Sequence, residues 1–281
     1  MFRRWLIRLL VLPLALGYGI LGLACAQDKE AGILPAEALA PELQPGIQPP
    51  GVQPIAKPNI IFITIDALSA KHVGVYGNTG IKTPTLDGLA QKGVKFNLEI
   101  NSASQTGSSM ASIFTSSYPA SNGVLVHGLD RLSDSLPTLA GILANNGYGT
   151  AALYSSRILD SQFSGLDRGF ETYQPVYLPN PGQTDIWRLF SGLADVTTDA
   201  VLSWLKQKPN TPFFLWVHYD DPHYPYAPPA PFDTMYDTCN TCVDGGYDTI
   251  DRIAAGEQLS DRDIMHLVAL YDGEVSFADR E

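Results

Sequence analysis

The chain has 281 residues, 45% of them apolar and 17% charged, with 18 Lys and Arg against 29 Asp and Glu for a net charge of −11 at pH 7. That apolar share can bury a sizeable core, which excludes global disorder and leaves one large domain or two small ones. The acidic balance excludes a nucleic-acid partner, because such binding rests on Lys and Arg against phosphates; a local positive pocket or a metal ion could still hold a single anion.

Residues 1–26 place Arg3, Arg4 and Arg8 ahead of an apolar run from Leu9 to Leu23 and close on Ala24-Cys25-Ala26. This reads as a signal peptide with an A-x-A cleavage site. Pro13, Gly17, Gly19 and Gly22 break the run, which is short for a membrane anchor. Gly22-Leu23-Ala24-Cys25 is also similar to a lipobox, with Leu one position closer to the Cys. A lipoprotein tethered to the membrane through Cys25 and a cleaved secreted chain both stay open. Either predicts an exported protein, in the periplasm or at the cell surface. Residues 27–57 form a Pro-rich linker with Pro35, Pro41, Pro45, Pro49, Pro50 and Pro54, a composition that favours an extended spacer.

From residue 58 the pattern alternates between strands and helices. Asn59 to Ile65 is a continuous apolar run, as in a strand buried on both faces of a parallel sheet. Thr83-Pro84 opens a helix with a cap and Pro at its first position, and Gly93 ends it. Val94-Lys95-Phe96 reads as a strand, and Met110 to Thr115 as part of a second helix. Leu136, Leu139, Ile142 and Leu143 mark a third helix, closed by Asn146-Gly147. Tyr148–Tyr154 and Phe213–Val217 read as strands, with a helix over Val196–Lys208 between them. Ile264, Leu267, Val268, Tyr271 and Val275 make the stripe of a final helix. The stretches 175–184 and 222–256 read as loops, the second long enough to be functional. The fold class is therefore α/β, a mostly parallel or mixed central sheet with helices on both faces.

The candidate chemistry lies at strand ends, where open α/β sheets bind ligands. Asp66 follows the first strand; it suits a hard cation, or caps a turn. Thr106 precedes the small residues Gly107-Ser108-Ser109 at a helix start. It is either a nucleophile activated by a metal or an ordinary N-cap. His218 and His223 bracket Tyr219-Asp220-Asp221-Pro222 after the last strand. His223 reads as an anion clamp or a leaving-group acid; His218 reads as substrate-binding or as a satisfied core residue. His72 and His127 read as structural. Cys239 and Cys242 are expected to form a disulfide in an exported chain; a zinc site would need a second ligand pair.

Lys57-Pro58-Asn59-Ile60-Ile61-Phe62-Ile63-Thr64-Ile65-Asp66 resembles the opening strand of the sulfatases, members of the alkaline phosphatase superfamily. Val75-Tyr76-Gly77, Thr83 to Ala90 and Gly93 to Phe96 continue the resemblance in order. Ala111 to Pro119 is similar to the helix ending in T-G-x-Y-P, and Phe213 to His223 and Tyr271 to Arg280 are similar to further blocks. The resemblance implies a hydrolase acting on ester bonds of a small or carbohydrate-like sulfated or phosphorylated substrate. It implies Asp66 and Thr106 as ligands of a divalent metal, with calcium the first expectation and zinc, manganese or magnesium the alternatives. It implies Thr106 as nucleophile, since it stands where the family carries a Cys or Ser converted to formylglycine, and His223 as a contact of the anionic group.

The departures are specific. Thr is not converted to formylglycine, so no formylglycine is expected. Met110 replaces an Arg, Ala67 replaces a second metal-binding Asp, and neither the Lys nor the His of many members appears around Leu153-Tyr154-Ser155. The chain stops at Glu281, before the D-H-G-type or D-N-type segment that supplies further ligands. The domain over 58–281 is therefore expected to be C-terminally incomplete. An inactive fragment and a phosphodiesterase or phospho-group transferase of the same superfamily are the alternatives to sulfate-ester hydrolysis.

Overall fold

A computed structural model describes residues 57–179, 190–191, 193–207 and 212–281. The signal sequence, Cys25 and the linker up to residue 56 lie outside the described residues. Four strands, β1 (Ile60–Ile65), β2 (Gly149–Tyr154), β3 (Thr172–Pro175) and β4 (Phe213–Tyr219), form a sheet in the order β1-β4-β2-β3. All three pairings are parallel. A two-stranded antiparallel pair, Leu178–Pro179 with Phe190–Ser191, stands apart from it. The main helices are α1 (Pro84–Lys92), α2 (Thr106–Thr115), α3 (Leu139–Asn145), α4 (Ala194–Leu205), α5 (Tyr247–Ala254) and α6 (Asp261–Arg280).

The central strand β4 shows why the sheet is covered twice. All seven of its residues are buried. Side chains alternate between faces along a strand. Phe214 and Trp216 enter one core with Ala152 and Tyr154 of β2, Met110 and Phe114 of α2 and Ala140 of α3. Phe213, Leu215, Val217 and Tyr219 enter the other, with Ala151, Leu153, Ala194, Trp204, Phe277 and Ala278. Each fully buried large side chain contributes about 1.5–3 kcal/mol. A continuous apolar strand is thus what two helical layers require.

Five expectations change. β1 is not buried on both faces: it is an edge strand bonded only to β4, and Ile61 and Ile63 are 51% and 49% exposed. Val94-Lys95-Phe96 is not a strand; it has no ladder partner, and Val94 and Phe96 are exposed. Thr83 precedes α1 but makes no side-chain cap; its hydroxyl accepts from the Gly74 N–H and donates to Asp87 instead. The 222–256 stretch is not all loop, because α5 forms inside it. The 175–184 stretch is not all loop either: β3 ends at Pro175 and Leu178–Pro179 pairs with Phe190–Ser191, two strands the sequence does not announce, while residues 180–184 lie outside the described residues. The helices and strands that were expected otherwise fall within a few residues of their places. Thr138 and Ser260 cap α3 and α6 by accepting backbone N–H groups. Cys239 and Cys242 are joined as a disulfide. Among the described residues no helix is long and apolar enough to cross a membrane.

Candidate active site

The parallel register builds the site. Thr64 lies opposite His218 and Ile65 opposite Tyr219, so the next residues, Asp66 and Asp220, emerge side by side at the carboxyl ends of β1 and β4. The Asp66 N–H donates to Tyr219 O at 2.9 Å, the last rung of that ladder. His218 and Asp220 share strand parity and so face the same way. Ala67 then turns the chain sharply, with φ 53° in the left-handed region, a conformation costing roughly 1–3 kcal/mol outside glycine. Its N–H donates to Asp66 Oδ1 and its carbonyl accepts from the Tyr271 hydroxyl, which holds the turn.

Asp66, His218 and Asp220 offer donor atoms within 4.8 Å of one another. His218 is 1% exposed, and its Nε2 lies 3.6 Å from Asp66 Oδ2 without a hydrogen-bond partner. On the other side of the ring, Nδ1 lies 2.8 Å from the Thr64 hydroxyl, which also accepts from the Trp216 indole N–H. A cation between Nε2 and the carboxylates would take the Nε2 lone pair, with the ring proton on Nδ1 and donated to Thr64. Outer partners commonly orient metal-binding histidines in this way. Burial pushes the Asp66 carboxyl up, but the His218 and His223 imidazoles and the Thr106 hydroxyl outweigh it and hold the pKa at about 2. Burial raises the Asp220 carboxyl above its usual range, and the negative charge of Asp66 adds to the rise. A buried, unpartnered imidazole nitrogen beside two carboxylates of opposite tendency fits a divalent cation.

Thr106 is the first residue of α2. The first turn of a helix leaves backbone N–H groups unspent and carries the positive dipole end. Gln105 makes no side-chain cap there; its Oε1 accepts from the His127 N–H instead. The Thr106 hydroxyl donates to Asp66 Oδ2 at 2.8 Å. A carboxylate with a pKa of about 2 is too weak a base to hold a threonine proton near neutral pH, so Asp66 orients Thr106 rather than deprotonating it.

Two cavities meet at this residue. One, of about 390 Å³, is lined by Asp66, Thr106, Met110, His127, His218 and His223 among others. The other, of about 250 Å³, is lined by Thr106, His127, Ser155, Arg157, Asp220 and His223 among others. The His223 Nδ1 bonds the Tyr224 carbonyl at 2.9 Å and its ring stacks on Tyr224, leaving Nε2 for a ligand. Ser155 Oγ donates to His218 O and accepts from the Asp220 N–H, tying the end of β2 to that of β4. Farther back, Asp221 accepts from the Ala194 N–H and Glu274 from the Ala227 N–H. Burial raises both carboxyls, to about 7 and about 8.

Asp66, Thr106, His218 and His223 therefore come together from three segments of the chain. His218 sits against Asp66 in the donor cluster. Asp220 carries no reading of its own in the sequence, and His127, which reads there as structural, lines both cavities at Thr106. Strand parity two residues beyond His218 would have found Asp220; nothing in the spacing of 21 residues between Thr106 and His127 announces their approach. His72 is structural as expected, bonded to Asp272 at 2.5 Å and packed on Tyr271. Met110 is buried in the first core, which accounts for an apolar residue there.

A family model described as Sulfatase matches residues 58–281. The chain belongs to the sulfatase family. An ulvan-active sulfatase of Formosa agariphila is 29% identical over 199 residues, covering 64% of this chain and 38% of the relative. An N-acetylglucosamine-6-O-sulfatase of Bacteroides thetaiotaomicron is 26% identical over 179 residues, covering 61% of this chain and 32% of the relative. The chain thus spans about a third of the length of these curated relatives. Among solved structures, a phosphonate monoester hydrolase of Agrobacterium radiobacter superposes with a TM-score of 0.56 at 20% identity, over 79% of this chain and 57% of that one. That likeness is one of fold.

Gly107 separates this sulfatase-family site from a clash. A Cβ there would stand 2.7 Å from the Cβ of His127. Ala in a helix interior gains about 1 kcal/mol over Gly, whereas forcing a methyl into filled space costs about 1–3 kcal/mol. Gly107→Ala should therefore lower the melting temperature and displace His127, read by thermal denaturation. A variant that melts higher than wild type would show that the His127 segment yields freely.

Proposed function

We propose that the full-length protein is a metal-dependent hydrolase of sulfate esters, phosphoesters or phosphonates that uses Thr106 as a covalent nucleophile. The observation that carries this reading is the Thr106 hydroxyl at the start of α2, held by Asp66 and open to the cavities lined by His127 and His223. Asp66, His218, Asp220 and Thr106 would hold the cation. A divalent cation held there lowers the pKa of a neighbouring hydroxyl and neutralises anionic substrate oxygens. An imidazole among the donors suits zinc or manganese better than calcium, which favours all-oxygen shells.

Thr106 Oγ attacks the sulfur or phosphorus in line with the ester bond and loses its proton to solvent. The bond to the ester oxygen breaks, and His223 protonates or hydrogen-bonds the departing alcohol oxygen. The unspent N–H groups of α2 stabilise the group left on Thr106. Water then attacks that group and gives up a proton, the Thr106 oxygen leaves and regains one, and sulfate, phosphate or the organophosphonate departs. The hydroxyl in place of an aldehyde hydrate, with the fold shared with a phosphonate monoester hydrolase, favours a phosphorus ester. The relatives whose names specify sulfated glycans favour a sulfated sugar. The leader supports an exported protein, lipid-anchored if Cys25 is acylated.

Turnover of p-nitrophenyl sulfate, p-nitrophenyl phosphate and p-nitrophenyl phenylphosphonate by the full-length protein tests the reading. At least one should be hydrolysed, activity should vanish on chelation, and zinc or manganese should restore it better than calcium. Turnover that survives exhaustive chelation would contradict the metal assignment; a metal-replete protein inert toward all three would contradict the hydrolase.

A further inference from the structure

His127 has no part in the chemistry above, yet two costs are borne at its position. Its Nδ1 is buried without a hydrogen-bond partner, a loss of about 1–3 kcal/mol for a polar group. Gly107 leaves the space its Cβ occupies, and glycine inside a helix costs about 1 kcal/mol. An apolar side chain would avoid the first, since it leaves no polar atom unpaired; the second goes with the close approach of this segment to α2 whatever side chain stands at 127.

The placement says what the ring can reach. The His127 N–H is anchored on the Gln105 side chain, the residue just before Thr106. The side chain lines both cavities that meet at Thr106, as His223 does. With Nδ1 sealed and no hydrogen bond made by Nε2, Nε2 is the ring nitrogen open to a ligand. Asp66 and Asp220 bring negative charge to the same walls, so an anionic group entering there needs donors to offset them.

We propose that His127 is a substrate-contacting residue whose Nε2 hydrogen-bonds a non-bridging oxygen of the sulfuryl, phosphoryl or phosphonyl group seated at Thr106. This rests on the reading of Thr106 as the attacking residue. His223 then serves the departing oxygen while His127 holds an oxygen that stays, so the two imidazoles divide the group between them. A donor on an oxygen that gains charge as the reaction proceeds acts on kcat as well as on binding.

The experiment compares wild type, His127→Ala, His127→Gln and Thr106→Ala in the full-length, metal-loaded protein. Calorimetric titration with inorganic phosphate and with sulfate reads anion affinity without turnover. His127→Ala should weaken the better-bound anion about tenfold, the loss of one net hydrogen bond. It should lower kcat/KM on the p-nitrophenyl esters about 100-fold, mostly in kcat, with metal content and melting temperature unchanged. His127→Gln, which keeps an N–H donor, should recover part of both. Wild-type anion affinity and kcat/KM in His127→Ala would overturn the proposal. So would losses that track a lowered melting temperature and that Gln does not rescue. Thr106→Ala separates the two readings: if it turns over normally, the nucleophile is wrong, while an anion affinity that still depends on His127 keeps the contact. A wild-type protein that binds neither anion overturns both.

Discussion

Thr106→Ala in the full-length, metal-loaded protein should lower kcat by about four powers of ten or more, as removal of a covalent nucleophile does elsewhere. That corresponds to about 5 kcal/mol of barrier. Thr106→Ser should keep measurable activity, because the oxygen survives and only a methyl is lost. Stability should fall by no more than about 1.5–3 kcal/mol in the Ala form, since the one side-chain bond lost is the 2.8 Å contact to Asp66, a hydrogen bond to a charged group, and by less in the Ser form, which keeps it. Steady-state kinetics with matched melting curves check this. Equal activity in wild type and Thr106→Ala would reduce Thr106 to the first residue of a helix.

Asp66→Asn should have the second largest effect. It keeps the shape of the side chain but removes the charge that faces His218 Nε2 and the Thr106 hydroxyl. Bound metal should fall below one equivalent and activity by at least about 1,000-fold, on the scale of losing an electrostatic group in a closed site. The acid limb of stability should change as well. The folded pKa of Asp66 lies below the unfolded one, at about 2 against 3.8. Its contribution is therefore complete above the unfolded value and is lost as pH falls from about 4 toward 2. Asp66→Asn lacks that limb, so its stability should fall less steeply with acid than that of wild type. Metal analysis with acid denaturation of both forms measures this; unchanged metal content would remove Asp66 from the ligand set.

Much of this site was legible because it follows from local rules. A hydrophobic strand ending in an acid marks Asp66, a small-residue helix start marks Thr106, and two histidines beyond a buried strand mark His218 and His223. The family resemblance ordered these pieces, and the Sulfatase match over 58–281 bears it out. What stayed hidden depends on tertiary placement. β1 reads as a strand buried on both faces, but its place at the edge is set by strand order, and period alone does not contain strand order. Val94 and Phe96 look like strand residues because propensity is a weak prior where no neighbour offers a ladder. Asp220 gains its meaning only when the register sets it beside Asp66. His127 gains its meaning only when the absent side chain of Gly107 lets it approach α2.

Mass spectrometry of a rapidly quenched reaction decides most directly whether Thr106 carries the chemistry. The full-length protein, loaded with its metal and mixed with the best p-nitrophenyl ester, should show a sulfuryl, phosphoryl or phosphonyl group on the peptide containing Thr106. The adduct should form within the first turnover and be absent from Thr106→Ala. Complete turnover with an unmodified Thr106 peptide at every quench time, together with an active Thr106→Ala, would contradict it.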